Sequence, residues 1–241
     1  MSKVFATRLR QVISFLIGED QSYCVLEHSI YDNVFLVRDL ISMGQNTSHG
    51  FGLLLLDQEK AFDSVDHDFL FAVLTKVGLG ENFISGIKLL YNNASCLLKV
   101  NNSLCHSFPF QRGICQGCPL SGMLYTLSVE PLLTLLRASM SGVSLADNSK
   151  FVISAYADDL CVAVSNQQDV TEVSRCFANF ELALSARVNF KKEVSRFGCP
   201  LIPSLNHCLH LLLCQHFQEE CNGKEKGSNI SVFFWELKIM K

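Results

Sequence analysis

The stretch 151-FVISAYADDLCVAV-164 decides the reading of this chain. Apolar, β-prone residues flank two adjacent acids, Asp158 and Asp159. The pattern predicts two strands with the acids at the tip between them. Like charges side by side repel, and burying them is costly unless something positive compensates. A plain Asp-Asp turn is the simpler alternative. A second run weakens it: 51-FGLLLLD-57 is continuously apolar, of strand length, and also ends in an acid, Asp57. If the two strands are sheet neighbours, three carboxylates converge. Raised pKa values would relieve the repulsion, and so would divalent metal. Mg²⁺ takes hard oxygen ligands, a few carboxylates together with substrate phosphates. A pair of such ions clamps the attacking and leaving oxygens of a phosphoryl transfer.

Working outward, residues 3–17 carry apolar positions at helical spacing, and 30-IYDNVFLVRDLISM-43 predicts a second helix ending at Gly44. After the buried strand, 66-DHDFLFAVLTKVG-78 reads as a helix with an Asp cap and a Gly stop. A further helix covers about 81–92, and 94–110 reads as a hairpin turning at Asn101-Asn102. Pro119 is placed at the start of a long helix to about Met140. A last helix follows at about 169–186. Helices interleaved with strands and hairpins in this order predict an α+β fold with a largely antiparallel sheet packed on helices.

The bulk numbers bound the rest. The chain has 241 residues, is 49% hydrophobic and carries a net charge of -3, enough apolar material for one large domain or two small ones. A nucleic-acid binder acting alone is usually basic, so composition lends no support to a polyanion partner. The eleven cysteines are scattered and no signal peptide opens the chain, which predicts an intracellular protein with reduced thiols. The longest apolar runs are far too short to span a bilayer. Cys115 and Cys118 form a lone CxxC without a second pair at zinc spacing, which reads as two small loop residues.

Four blocks resemble the reverse transcriptase domain of LINE-type (non-LTR) retrotransposons: 23-YCVLEHSIYDNVFLVRDLI-41, 56-LDQEKAFDSVDHDFL-70, 111-QRGICQGCPLSGMLYTLSVEPLL-133 and 155-AYADDL-160. A fifth, 185-SARVNFKK-192, is similar to the family's next motif. The resemblance spans residues 1–193 and implies a right-hand polymerase palm with partial fingers and no thumb. It implies that Asp57, Asp158 and Asp159 hold two Mg²⁺ ions, with Mn²⁺ as an alternative. Phe62 matches the aromatic that excludes a 2′-hydroxyl from the incoming dNTP, the alternative being a core phenylalanine. Gln116 and Gly117 match the pair against the incoming nucleotide and template base, with Gly117 permitting close backbone approach. Lys192 matches a lysine near the triphosphate, the alternative being a solvated surface residue. The implied reaction is RNA-directed DNA synthesis from an RNA template, a DNA primer and dNTPs, with no membrane partner. A group II intron-type maturase fits the wording of the blocks less well, and an RNA polymerase would avoid a bulky Phe62.

The chain departs from the pattern in three places. Where the family usually has Gly-Arg-Ser, this sequence has Glu27-His28-Ser29; where it has Arg before Gln-Gly, this sequence has Cys115. Both arginine losses are single-base steps, which points to mutational decay. Histidine does not replace a bidentate guanidinium. Third, residues 195–241 lack the family's KYLGV hairpin. Back-translated and read two bases on, 217–241 gives PGGVQWKRKGIKYLGVFLGTEDYE, which contains it. The tail is therefore read as frameshifted and poorly ordered, with the slip near 195–214. The same reading disposes of its Cys/His cluster as a zinc knuckle. The second functional reading is a retrotransposon-derived remnant with at most weak nucleic-acid binding.

Overall fold

The computed structural model describes residues 2–46, 51–58, 60–145, 148–184 and 190–197, without the side chains of residues 45, 46, 57 and 190–197. The expected frameshifted tail from residue 198 onward, with its Cys/His cluster, lies outside the described residues. The chain runs α1 (Ser2–Arg10), α2 (Ile13–Leu16), α3 (Ile30–Asn46), β1 (Phe51–Gln58), α4 (Ala61–Ser64), α5 (His67–Lys76) and α6 (Glu81–Tyr91). Four short strands follow, β2 (Ser95–Cys96), β3 (Lys99–Val100), β4 (Ser103–Leu104) and β5 (Phe108–Pro109), then α7 (Ser121–Ser139). β6 (Val143–Ser144), β7 (Lys150–Phe151), β8 (Ile153–Tyr156), β9 (Asp159–Val164), α8 (Gln167–Leu184) and β10 (Phe190–Phe197) complete the described elements.

The central sheet has the order β10-β1-β9-β8 and is antiparallel throughout. β1 lies inside it with one face buried throughout and the other covered up to Leu53, Leu55 being exposed next to the acidic end. Leu54 and Leu56 join the main core with residues of α5, α7 and α8. Phe51 and Leu53 join a second cluster with Leu40 of α3, Val143 and Phe151. Burial on two faces is why this strand reads as an unbroken apolar run rather than an alternating one. α7 is buried at every position from Met123 to Glu130, as a helix through the centre of a core must be.

The two sheet edges are protected differently. β10 carries Lys191, Lys192, Glu193 and Arg196, and charge on an edge strand discourages pairing with other chains. At the other edge, residues 20–22 lie along β8. Ala155 N donates to Asp20 O at 2.8 Å, and Ser22 N donates to Ala155 O at 3.0 Å.

The α+β expectation is met, with local corrections. The helix expected over 3–17 breaks at Gln11-Val12 into two. α3 continues past Gly44 to Asn46. The long helix begins at Ser121, not Pro119, because Cys118 O accepts the Ser121 N–H in a turn that contains the proline. Asn101 and Asn102 do form the hairpin turn, both at positive φ (48° and 65°), but the pairing around them splits into two short ladders. β10 is a strand that no periodic signal announced. Among the described residues no helix is long and apolar enough to cross a membrane.

Candidate active site

Strand register brings the sequence-predicted acids to one end of the sheet. Asp57 of β1 pairs directly with Asp159 of β9. Positions directly opposite in antiparallel strands share a face, with Cα atoms about 4.5–5.5 Å apart. Tyr156 pairs with Asp159, so Ala157 and Asp158 alone form the turn. Asp158 is half-buried and Asp159 exposed.

That turn is strained. Ala157 has φ 56° and is buried. A positive φ at the first turn residue and not the second is the type II′ pattern, where glycine is usual. A β-carbon there costs roughly 1–2 kcal/mol. Neighbours hold it. Gln21 Oε1 accepts the Ala157 N–H at 3.2 Å. Tyr23 packs edge-on against Tyr156, with ring centroids 5.2 Å apart. Burial pushes the Tyr23 phenol up, with Cys24, Tyr156 and Asp158 acting in the same direction.

β10 completes the other side of β1. Lys191 lies across from Asp57, and Lys192 across from Leu56. The register thus puts position 191 on the face of the paired acids and position 192 on the face that Leu56 and Leu160 bury.

Phe62 is half-buried on α4, close behind β1. One face of its ring stacks on Tyr125 of α7, with centroids 4.4 Å apart and planes 19° from parallel. The Tyr125 hydroxyl donates to Gln58 Oε1 at 2.9 Å, and Gln58 Nε2 donates to Ser64 Oγ at 3.1 Å. A buried polar chain thereby ties the end of β1 to both ends of the Phe62 platform. The ring is both part of the core edge and held in one plane.

The segment leading to Gln116 and Gly117 is fastened to the same platform. Gly113 N donates to Val65 O and Ile114 N to Phe62 O, each at 2.7 Å. His67 Nε2 bonds Gly113 O at 2.8 Å, so the ring carries its proton there. Gly113 has φ 92°, and a β-carbon would stand 3.0 Å from the Asp63 Cα. Gln116 and Gly117 themselves are exposed. Gly117 has φ 83°, and a β-carbon there would meet nothing within 4 Å, so this chain uses glycine at that position for its conformational freedom. Cys115 and Cys118 are free thiols.

Glu27 sits at φ 67°, a left-handed conformation at the position where the resembling motif has glycine. With His28, Glu19, Asp20 and Asp32 it lines a shallow cavity of about 230 Å³. Beneath it, Arg137 of α7 pairs with Asp20 at 2.5 Å and with Glu130. Burial pushes both carboxyls up, and the pull of Arg137 only partly offsets it.

Among the described side chains no group of three or more His, Cys, Asp or Glu could hold a metal ion, and the Asp57 side chain is not among those described. The donor chemistry nonetheless suits one kind of ion. The paired positions offer carboxylates only, hard oxygen donors that favour Mg²⁺ or Mn²⁺ over softer metals. Of the residues that shape this end of the sheet, the sequence singled out the acids and Phe62. Gln21, Gln58 and Tyr125 gave no signal: Gln21 sits in the polar run 18-GEDQSY-23, and Gln58 and Tyr125 have nothing distinctive beside them. Lys191 was overlooked in favour of its neighbour.

Solved structures share this architecture. A telomerase from Candida tropicalis in complex with the TWJ fragment of telomeric RNA superposes with TM-score 0.57 at 13% identity, over 79% of this chain and 33% of that one. The Candida albicans telomerase with the same fragment gives 0.56 at 15%, over 80% and 34%. The fold is a right-hand polymerase palm with part of the fingers. Residues 1–196 match the family model for reverse transcriptase (RNA-dependent DNA polymerase). The chain belongs to that family, and its relatives are retrotransposon proteins of the non-LTR type. It is 42% identical over 194 residues to the transposon TX1 uncharacterized 149 kDa protein of Xenopus laevis, covering 80% of this chain and 15% of that protein. It is 25% identical over 196 residues to the retrovirus-related Pol polyprotein from type-1 retrotransposable element R2 of Popillia japonica, covering 81% and 27%. The chain thus spans well under a third of either relative's length.

Proposed function

We propose that this chain is the nucleotidyl-transfer part of an RNA-directed DNA polymerase, adding dNTPs to a primer 3′-hydroxyl on an RNA template. The observation that carries the reading is the direct pairing of Asp57 with Asp159 beside the Asp158 turn. Asp57, Asp158 and Asp159 would hold the ions. Two Mg²⁺, or Mn²⁺, bound there would activate the primer hydroxyl and neutralise charge on the α-phosphate and leaving pyrophosphate. Phe62, flat against Tyr125, presents a fixed ring to the sugar and excludes a 2′-hydroxyl sterically. Gln116 and Gly117 lie against the nucleotide and the template base. The resemblance gives Lys192 the role of stabilising the leaving pyrophosphate, whereas the strand register favours its neighbour Lys191, the position opposite Asp57. With a net charge of -3, grip on the primer–template depends on local basic groups and weakens steeply with salt. The described cysteines are free thiols, which suits work inside the cell.

Primer extension on an RNA template with Mg²⁺ and dNTPs tests the reading. Extension by the parent chain and none by Asp158→Ala/Asp159→Ala is expected. A folded parent that never extends the primer makes this chain a non-enzymatic remnant and overturns the proposed activity.

A further inference from the structure

We propose that Gln21 is a positioning residue for the acidic turn: its side-chain oxygen holds Ala157 in its left-handed conformation and so aims Asp158. The inference rests on the proposed role of Asp158 in holding a divalent ion. Gln21 is wholly buried. Its Oε1 accepts two backbone N–H groups, Tyr23 N at 3.0 Å and Ala157 N at 3.2 Å. Its Nε2 has no hydrogen-bond partner among the described residues. A buried amide is expected to satisfy both ends; this one is used for its oxygen alone, and the oxygen is spent on the one residue of the turn with positive φ.

Gln21 can act this way because its own backbone is fixed. Asp20 O and Ser22 N clamp Ala155 from either side of it. Asn33 Nδ2 also donates to Ala155 O at 3.0 Å, and Ser22 Oγ donates to Asn33 Oδ1 at 2.6 Å. Arg137 pins Asp20 to α7. The path from the core helix to the turn therefore runs Arg137, Asp20, Gln21, Ala157, with Asp158 next. Without the oxygen, the Ala157 N–H is left unpaired in the interior, and the positive φ is held only by the two-residue hairpin closure and the Tyr23–Tyr156 contact, which leaves the turn looser. The Asp158 carboxylate then leaves its place while the sheet, whose ladder does not use Gln21, persists.

The test is Mn²⁺ binding to the full chain, read from the electron paramagnetic resonance signal of the free ion, with folding checked by circular dichroism. Asp158→Ala sets the floor. Gln21→Leu, and the milder Gln21→Asn whose oxygen is one methylene short, are expected to weaken binding about tenfold, as losses of groups that orient a metal ligand do. Gln21→Glu, protonated in that buried position, keeps the acceptor and is expected to restore parental binding. Parental affinity in folded Gln21→Leu or Gln21→Asn overturns the proposal. So does an equal loss of affinity in Leu74→Ala, a core variant of α5 that takes part in neither the Gln21–Ala157 hydrogen bond nor the Tyr23–Tyr156 ring contact, or a failure of Gln21→Glu to restore binding. A parent chain that binds Mn²⁺ no better than Asp158→Ala removes the ion-holding role itself, and the positioning role with it.

Discussion

Tyr125 is the residue through which the platform idea is tested most sharply, because its hydroxyl and its ring can be removed separately. Its ring backs Phe62 at 4.4 Å, and its hydroxyl donates to Gln58 at 2.9 Å inside the protein. Tyr125→Phe removes only the hydroxyl. Gln58 Oε1 is then a buried acceptor without its donor, a loss of roughly 1–3 kcal/mol. Tyr125→Leu removes the hydroxyl and the stack together. The stack adds roughly 0.5–1.5 kcal/mol beyond the area it buries, and trimming a wholly buried ring costs further through lost burial and the cavity left behind, so the leucine variant is less stable than the phenylalanine variant by about 1–3 kcal/mol. Urea unfolding measures both differences without any need for activity.

The functional readout separates the two variants further. In Tyr125→Phe the Phe62 ring keeps its flat backing, and discrimination between dNTP and rNTP in single-nucleotide extension is expected to stay at the parental level. In Tyr125→Leu the ring is free to tilt. A steric contact of that kind is worth roughly 1–3 kcal/mol, and losing part of it is expected to raise relative rNTP use by about tenfold. If both variants shift discrimination equally, the polar chain and not the stack sets the ring. If Tyr125→Leu leaves discrimination untouched, the platform account of Phe62 is wrong.

Other perturbations have equally definite outcomes. Asp66 caps α5 by accepting from Asp68 N and Phe69 N at 3.0 Å each, so Asp66→Ala is expected to cost about 1 kcal/mol in urea unfolding, mostly from the cap; the pair with Arg112 is long and half-exposed and adds little. Glu27→Gly relieves a left-handed glutamate and is expected to raise stability by about 0.5–1 kcal/mol, with an unchanged melting temperature as the refuting result. Lys191→Ala and Lys192→Ala separate register from motif: if face decides, the position opposite Asp57 costs more primer extension, and if motif decides, Lys192 does. For Asp20 and Glu130 the folded carboxyls sit above their ordinary 3.8 and 4.5, so the folded state binds protons more tightly than the unfolded chain. Stability present below those values is lost as pH rises through the folded pKa values, and thermal melts of Asp20→Asn/Glu130→Gln are expected to flatten that slope.

The parts legible in the sequence were those in which one physical demand dominates. A strand buried on both faces has to be apolar without a break, so 51–57 announced itself and Asp57 stood out at its end. An acid pair between two apolar runs was equally plain. α7 was expected from Pro119 to about Met140, but its first turn was misplaced, because Pro119 is as compatible with the turn before a helix as with its first residue. β10 was missed for the opposite reason. An edge strand is under pressure to be charged, so FKKEVSRF shows neither alternation nor an apolar run, and only pairing with β1 makes it a strand.

The supports of the site were illegible because each is a single polar residue whose meaning lies in a distant partner. Gln21 and Ala157 are separated by more than half the chain, and neither is unusual in its own neighbourhood. Ala157 even argues locally against a tight turn, since its φ is one that glycine would take at no cost. A turn built against local preference has to be held by tertiary contacts, and here those contacts come from the segment just before the first motif block. The strain therefore couples two segments 136 residues apart in the chain. A loss of the Gln21 or Tyr23 contacts is expected to reach Asp158 before it reaches the sheet, because both contacts end on the turn and neither belongs to the ladder.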